Sequence, residues 1–168
     1  MVWAATKLVI FDYVYPTYQW VVIEHEGKNI DLIYKKVREA LHEIFRIPLD
    51  NLQEREFDWK KTEKGEEFTV RWEAVRQLDE FSYIRLEVDL KGFMNKEKVG
   101  RIRIRYRPAL LTEYPQDTFW QQTILYEMLR RLWHVIFYRK KRNEYFQLAR
   151  ELAAQFDAEL KKFIEATR

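Results

Sequence analysis

The stretch Val99-Gly-Arg-Ile-Arg-Ile-Arg-Tyr-Arg-Pro108 decides the fold, because apolar and basic residues alternate along it at almost every step. In an extended chain Ile102, Ile104 and Tyr106 point to one side, and the arginines between them point to the other. A period of two is typical of a strand with one buried and one solvated face. The stretch therefore predicts an antiparallel sheet that contacts solvent on one side.

The same alternation runs through residues 53–114 and stops only at turn-forming residues. Turns are predicted at Lys64-Gly65, at Leu78-Asp79-Glu80, and at Gly92 with residues 95–98. These breaks leave four consecutive strands in a meander, and the strands are longer than the usual five or six residues. Because long antiparallel strands coil through their intrinsic twist, we expect a curved sheet that wraps around helices.

The residues before the meander predict two short strands and one helix. Residues 7–11 and 18–24 are rich in β-branched and aromatic residues, and Pro16 between them predicts a bend or a sheet edge. Apolar residues then recur at spacings of three and four over residues 30–45, which predicts an amphipathic helix with Asn29 as its N-cap.

Two helical stretches complete the chain. Thr118-Phe-Trp-Gln121 has the pattern of a capping box, and one apolar stripe runs from Trp120 to Ile136. A second apolar stripe covers residues 145–163, and the polar run 139–144 separates the two. An unbroken helix over residues 118–166 would extend roughly 70 Å, whereas a domain of this size has a radius of gyration of about 15 Å. We therefore predict that the helix breaks within residues 139–143 or projects from the body.

Together these patterns predict an α+β fold: a curved antiparallel meander of about five to six strands, packed on one amphipathic helix and a C-terminal helical pair. We expect a single domain over residues 1–168, with the helix 144–166 as a candidate extension or association element. Over residues 17–138 the order of elements resembles, in topology only, the helix-grip architecture of START-like lipid-binding and polyketide-cyclase-type proteins. The resemblance implies a sheet wrapped around the C-terminal helix, often with an enclosed hydrophobic ligand.

Composition restricts the classes of function. The chain has no cysteine, which excludes disulfides, thiolate metal sites and cysteine nucleophiles. No secretory signal begins it, and the longest uncharged run, residues 13–23, is too short to cross a bilayer, so we expect a cytoplasmic protein without a transmembrane segment. The four glycines and the abundant Lys, Arg and Glu are also typical of thermophilic proteins.

We find no motif for catalysis, a cofactor or a metal. The glycines stand at positions 27, 65, 92 and 100, which is too sparse for a phosphate-binding loop. His42-Glu43 begins a zinc-protease helix motif, but Arg46 occupies the position of the second histidine. The sequence therefore favours a protein that is not an enzyme and has no cofactor.

The leading functional hypothesis is a binding module with an apolar cleft between the curved sheet and the C-terminal helix. Aromatic residues make up 16% of the chain, which is enough to line such a cleft or simply to fill the core. The ligand would be a small apolar molecule of unknown identity. The candidate lining residues are Phe57, Trp59, Phe68, Trp72, Trp120, Met128 and Trp133.

The second hypothesis is a protein associated with RNA or a ribonucleoprotein, through either of two basic groups. The first group is the arginine stripe Arg101, Arg103, Arg105 and Arg107, although cross-strand pairing with Glu87 and Asp89 is the interpretation that we favour. The second group has few acidic neighbours in sequence, and it would suit RNA or an anionic membrane surface. Its members are Arg130, Arg131, Arg139, Lys140, Lys141 and Arg142.

The third hypothesis is self-association or scaffolding through the last helix. Its apolar stripe over residues 145–164 would form a homo-oligomer or partner surface if the helix stood away from the sheet. Burial of that stripe against the chain's own sheet would count against this hypothesis.

Overall fold

The computed structural model describes residues 8–48, 51–114 and 118–167. The chain forms strands β1 (Leu8–Tyr13) and β2 (Val21–Gly27), helix α1 (Ile30–Glu43), and strands β3 (Leu52–Thr62), β4 (Gly65–Gln77), β5 (Ser82–Met94) and β6 (Gly100–Tyr114). A short 3₁₀ turn (Trp120–Gln122), helix α2 (Ile124–Trp133), a π-helical segment (His134–Tyr138) and helix α3 (Arg139–Thr167) follow. The α+β class with a curved antiparallel sheet is confirmed.

The sheet contains the predicted meander. Strands β6, β5, β4 and β3 are neighbours in that order, and both β1 and β2 pair with the other edge of β6. β1 lies opposite residues 109–114 and β2 opposite residues 100–106, so the two short strands follow one another along β6. The interruption between them contains Pro16, as predicted. β4, β5 and β6 have 13, 13 and 15 residues, which agrees with the expected length.

The alternation in sequence corresponds directly to burial. On β6, Ile102, Ile104 and Tyr106 are buried, whereas Arg101 and Arg103 are exposed. α1 and α3 cover the apolar face of the sheet, and their apolar stripes join its hydrophobic cluster. The stripe of α3 is therefore used within the chain, which counts against self-association through it. Its buried members are Ala149, Leu152, Ala153, Phe156, Leu160 and Ile164.

The start of α1 differs from the prediction. Asn29 precedes the helix with φ 58°, in the left-handed region, and its side chain makes no capping hydrogen bond. A capping side chain normally extends from a β-region backbone, so this conformation explains why the predicted cap is absent. The Asn29 carbonyl accepts hydrogen bonds from the N–H groups of Leu32 and Ile33 instead.

The C-terminal helices are joined, not broken. α2, the π-helical segment and α3 follow each other without a non-helical residue, so the first of the two predicted alternatives, a break within residues 139–143, does not occur. The capping box is present, with Thr118 N–H bonded to Gln121 Oε1 at 3.1 Å and Gln121 N–H to Thr118 Oγ1 at 3.4 Å. It opens the 3₁₀ turn, and Thr123 caps α2 by accepting from the Tyr126 N–H.

Candidate functional site

The structure divides the seven candidate cleft residues between two places. Phe68 and Trp72 are buried in the core, where Tyr34 of α1 lies 5.4 Å from the Trp72 ring. Trp59 stacks on Phe68 at 4.7 Å, and Phe57, 54% exposed on the edge strand β3, stacks on Trp59 at 6.0 Å. These four rings therefore belong to the packed core beneath α1 or to the edge of that core.

The other three candidates, Trp120, Met128 and Trp133, lie at the opposite end of the sheet. The Trp133 ring contacts Phe81 at 5.7 Å and stacks on Tyr138 at 5.2 Å. Trp120 and Trp133 border an apolar groove of about 580 Å³, and Met128 lies outside it. We call this the α2 groove, and its lining consists of Phe81, Tyr114, Trp120, Tyr126, Leu129, Arg130, Leu132, Trp133, Ile136 and Phe137.

A cluster around Asp79 fixes one side of the groove. The Asp79 carboxylate accepts hydrogen bonds from the N–H groups of Phe81 and Ser82 at 2.9 and 2.8 Å, which orders the turn between β4 and β5. Tyr138 also donates to both of its oxygens at 3.0 Å, and Lys141 Nζ lies 2.9 Å away. The cluster therefore holds the helical run against the end of the sheet.

The ionisation of this cluster follows from its contacts. Burial by itself would raise the pKa of Asp79, but hydrogen bonds from Lys141, Phe81 N–H, Ser82 N–H and Tyr145 outweigh it and lower that pKa to about 2. Burial raises the pKa of Tyr138 to about 12. At neutral pH the cluster is thus a carboxylate surrounded by protonated donors.

A second contact joins α2 to β6. The Tyr114 hydroxyl lies 2.6 Å from His134 Nδ1, and the Arg130 guanidinium lies over the Tyr114 ring at 5.7 Å. Burial lowers the pKa of His134, with Arg142 and Arg139 acting in the same direction, and burial raises the pKa of Tyr114 to about 12. At neutral pH an uncharged Tyr114 hydroxyl and an uncharged His134 therefore share this hydrogen bond, and the tautomer of His134 determines which of them donates.

These contacts orient α2 in an unusual way. Arg130, His134 and Tyr138, spaced four residues apart, face the sheet, and Arg130 is only 6% exposed. Most apolar residues of the same helical turns are exposed, among them Ile124 at 79% and Phe137 at 68%. The apolar stripe had suggested that Trp120, Met128 and Trp133 all face the sheet. The four-residue spacing of Arg130, His134 and Tyr138 is the one sequence feature that corresponds to the observed inner side, and by itself it does not outweigh the apolar stripe.

The arginine stripe of β6 is paired, as the favoured interpretation expected. Arg105 and Arg107 bond Asp89 and Glu87 on β5 at 2.6 and 2.5 Å. Arg103 bonds Glu24 of β2 at 2.7 Å. The fourth member of the stripe, Arg101, lies opposite Glu26 in the register of β2 and β6. Local ion pairing thus uses most of the positive charge that an RNA backbone would need.

Most of the second basic group is also engaged. Arg131 pairs with Glu127 at 2.7 Å, Lys141 with Asp79, and Arg142 with Asp12 at 2.5 Å. Arg139 and Lys140 are exposed, and neither takes part in an ion pair with another of the described residues. The hypothesis of RNA binding stays a prediction, and Arg139 and Lys140 are the residues of this group most accessible to an RNA backbone.

No group of three or more His, Asp or Glu side chains within the described ranges is arranged to hold a metal ion. Of the histidines, His42 Nδ1 lies 2.8 Å from the Ile47 carbonyl and His134 bonds Tyr114. Among the same residues, no helix is long and apolar enough to cross a membrane.

Comparisons with known proteins add little to this description. No family model matches the sequence, and no curated protein matches it. The chain is similar to a solved protein of unknown function, SA2116 from Staphylococcus aureus, at 12% identity over 97% of this chain and 98% of that chain, with a TM-score of 0.30. It is also similar to Ara h 8.0201, at 10% identity over 80% and 99% of the two chains, with a TM-score of 0.17. Neither likeness carries an argument about function.

Proposed function

We propose that this protein is a non-enzymatic binding module that takes a small apolar ligand into the α2 groove. The observation that carries the proposal is the apolar groove of about 580 Å³ between the end of the sheet, at Phe81 and Tyr114, and the C-terminal helical run. Ligand pockets typically have volumes of roughly 300–1,000 Å³ and are lined mainly by hydrophobic and aromatic side chains.

Like the cleft hypothesised from sequence, the α2 groove lies between the sheet and the C-terminal helical run. Only some of the candidate cleft residues line it. Trp120 and Trp133 contribute to it, whereas Phe68 and Trp72 are packed inside the core. Aromatic walls favour flat or branched apolar molecules, because rings provide large contact areas at little cost in side-chain entropy. The attachments at Asp79 and Tyr114 hold the walls in place, which reduces the entropy lost on binding.

A pair of leucines one helical turn apart provides the test. Leu129 lines the groove and is 52% exposed, whereas Leu125 is 55% exposed and does not line it. Leu129→Lys would place an ammonium in the groove, and Leu125→Lys would add the same charge outside it. We expect native mass spectrometry to detect a co-purified apolar molecule, and we expect an environment-sensitive apolar dye to bind with saturation.

With the dye as probe, Leu129→Lys should weaken binding about tenfold or more, and Leu125→Lys should leave it within about twofold. Equal affinity of the two variants for the dye, or dye binding that does not saturate, would overturn the proposal.

A further inference from the structure

We infer that α2 docks this protein onto an anionic lipid membrane, with the outward apolar side of the helix inserted among the lipid chains. The surface concerned, called here the outward face, consists of Phe119 and the exposed apolar residues of the 3₁₀ turn, α2 and the π-helical segment. Docking goes beyond the proposed ligand binding and does not depend on it.

The first argument is the orientation of α2. Surface helices ordinarily bury their apolar stripe against the protein and leave polar residues in solvent. Here Arg130 and His134 contact Tyr114 of the sheet, and Ile124 and Val135 point away from it at 79% and 58% exposure. A helix lying in a membrane interface needs this arrangement, with its apolar side toward the lipid and its polar side toward the protein.

The second argument is the extent of the outward face. Its four rings, each with roughly 150–250 Å² of surface and exposed by 39–88%, account for about 500 Å² before the aliphatic side chains are counted. The largest apolar patch of a typical monomer is about 300–600 Å² in total. The exposed members that do not line the α2 groove are Phe119, Ile124, Leu125, Met128 and Val135. The exposed members that also line it are Trp120, Leu129, Leu132, Trp133, Ile136 and Phe137.

The third argument is charge. Residues 118–142 contain six Lys or Arg, of which Arg130 is buried against the sheet. Arg131, Lys141 and Arg142 form ion pairs with acidic residues of the chain, and Arg139 and Lys140 form none with another of the described residues. Arg131 is exposed beside the apolar residues, and Arg139 and Lys140 are exposed where the outward face ends. Cations around an apolar helical face are complementary to anionic head groups, each adding to the attraction.

Charge and apolarity together favour lipid over other occupants. An RNA backbone would meet the cations but would leave Ile124, Met128 and Val135 in water. A second copy could cover these residues, because roughly 800 Å² per partner suffices for a stable interface, but it would bring an identical set of cations. An anionic membrane would contact the cations with its head groups and the apolar residues with its lipid chains. The helix would then lie in the plane of the membrane.

The test targets the part of the outward face that does not line the α2 groove. Ile124, Met128 and Val135 belong to the outward face but do not line the groove. The combined variant Ile124→Gln, Met128→Gln and Val135→Gln therefore removes apolar surface without altering the ligand site. Its matched control carries glutamine at three exposed positions elsewhere, Tyr18, Leu32 and Phe57.

Binding is measured by flotation with vesicles of phosphatidylcholine alone and of three parts phosphatidylcholine to one part phosphatidylglycerol. We expect the unmodified chain to bind the mixed vesicles about tenfold more tightly than the neutral ones, with an advantage that decreases as salt rises. The outward-face variant should lose about tenfold or more in binding, and its control should bind normally. Arg139→Gln with Lys140→Gln should reduce only the preference for phosphatidylglycerol.

Three results would overturn the inference. The first is no binding to either vesicle. The second is equal binding by the outward-face variant and the unmodified chain. The third is a concentration-dependent dimer that the outward-face variant abolishes, which would identify a second copy as the occupant. Dye binding to the groove should be unchanged in this variant, so failure of docking and failure of the proposed function are distinguishable.

Discussion

The hydroxyl of Tyr138 lies 3.0 Å from both carboxylate oxygens of Asp79, and this contact joins the helical run to the turn between β4 and β5. Tyr145 adds a third hydroxyl bond to the same carboxylate at 3.0 Å. One acidic residue thus connects the end of the sheet to two turns of helix. The α2 groove and the outward face both depend on this connection, because it determines where α2 lies.

Replacement of Asp79 by asparagine should therefore destabilise the protein. The variant keeps the size of the side chain but loses the charge that Lys141 and the two N–H groups of the turn contact. We expect the free energy of unfolding to fall by about 2 kcal/mol, a usual cost of losing charge-assisted hydrogen bonds, because the Asp79 side chain is only 15% exposed. Urea titration measures this change. Asp58→Asn, at an exposed pair with Lys60, is the control and should change little.

The same carboxylate should make stability sensitive to acid. Its pKa is about 2 in the folded chain, below the ordinary value of 3.8. The unfolded chain therefore takes up the proton first, so the stabilisation is complete above about pH 4 and is lost as pH falls toward 2. Acid titrations followed by circular dichroism should show a smaller loss over this window in Asp79→Asn. Parallel curves for the two proteins would contradict the prediction.

A glycine near the end of β5 should be intolerant of any side chain. A Cβ at Gly92 would lie 2.3 Å from Cζ of Phe68 on β4 and 3.0 Å from the Arg101 carbonyl on β6. Phe68 is buried and stacked on Trp59, so it has little room to move. We expect Gly92→Ala to destabilise the chain by about 1–3 kcal/mol. The double variant with Phe68→Leu should regain part of this loss, which chemical denaturation can measure.

The sequence was sufficient to predict the sheet, because alternation carries the information locally. Whether Ile104 is buried and Arg103 exposed depends on a period of two that is visible within ten residues. The pairing of Arg105 with Asp89 also followed from the meander, since neighbouring strands have a fixed register. These features need no knowledge of how distant elements pack.

The orientation of α2 could not be obtained in the same way. An apolar stripe predicts a buried face only if the helix packs that stripe against the core of the same chain. Here Arg130 and His134 occupy the side of α2 that faces the sheet. The π-helical segment, which replaces the expected break, has no marker in the sequence comparable with a proline. The groove is lined by Trp133, one of the candidate residues, and also by Phe81 and Tyr114, whose approach to α2 depends on tertiary packing.

His134 should add a second dependence on pH, in the mildly acidic range. Burial, then Arg142 and Arg139, keep its pKa in the folded chain below the ordinary 6.5. The unfolded state therefore binds the proton first, so stability is complete above about pH 6.5 and falls as pH decreases through the folded pKa. In His134→Gln the decrease below about pH 6.5 should be smaller. His42→Gln, at the end of α1, is the control and should retain it.

The ion pairs of the sheet should differ in strength according to their burial. The Asp89 side chain is 5% exposed and bonds both Arg71 and Arg105, whereas Arg103 and Glu24 are 58% and 62% exposed. Asp89→Asn should lower the free energy of unfolding by about 2 kcal/mol, and Glu24→Gln by less than about 1 kcal/mol. Double-mutant cycles with Arg105→Gln and Arg103→Gln measure the two coupling energies. Coupling that is equal in both pairs, or that disappears for Asp89 in moderate salt, would show that burial does not determine their strength.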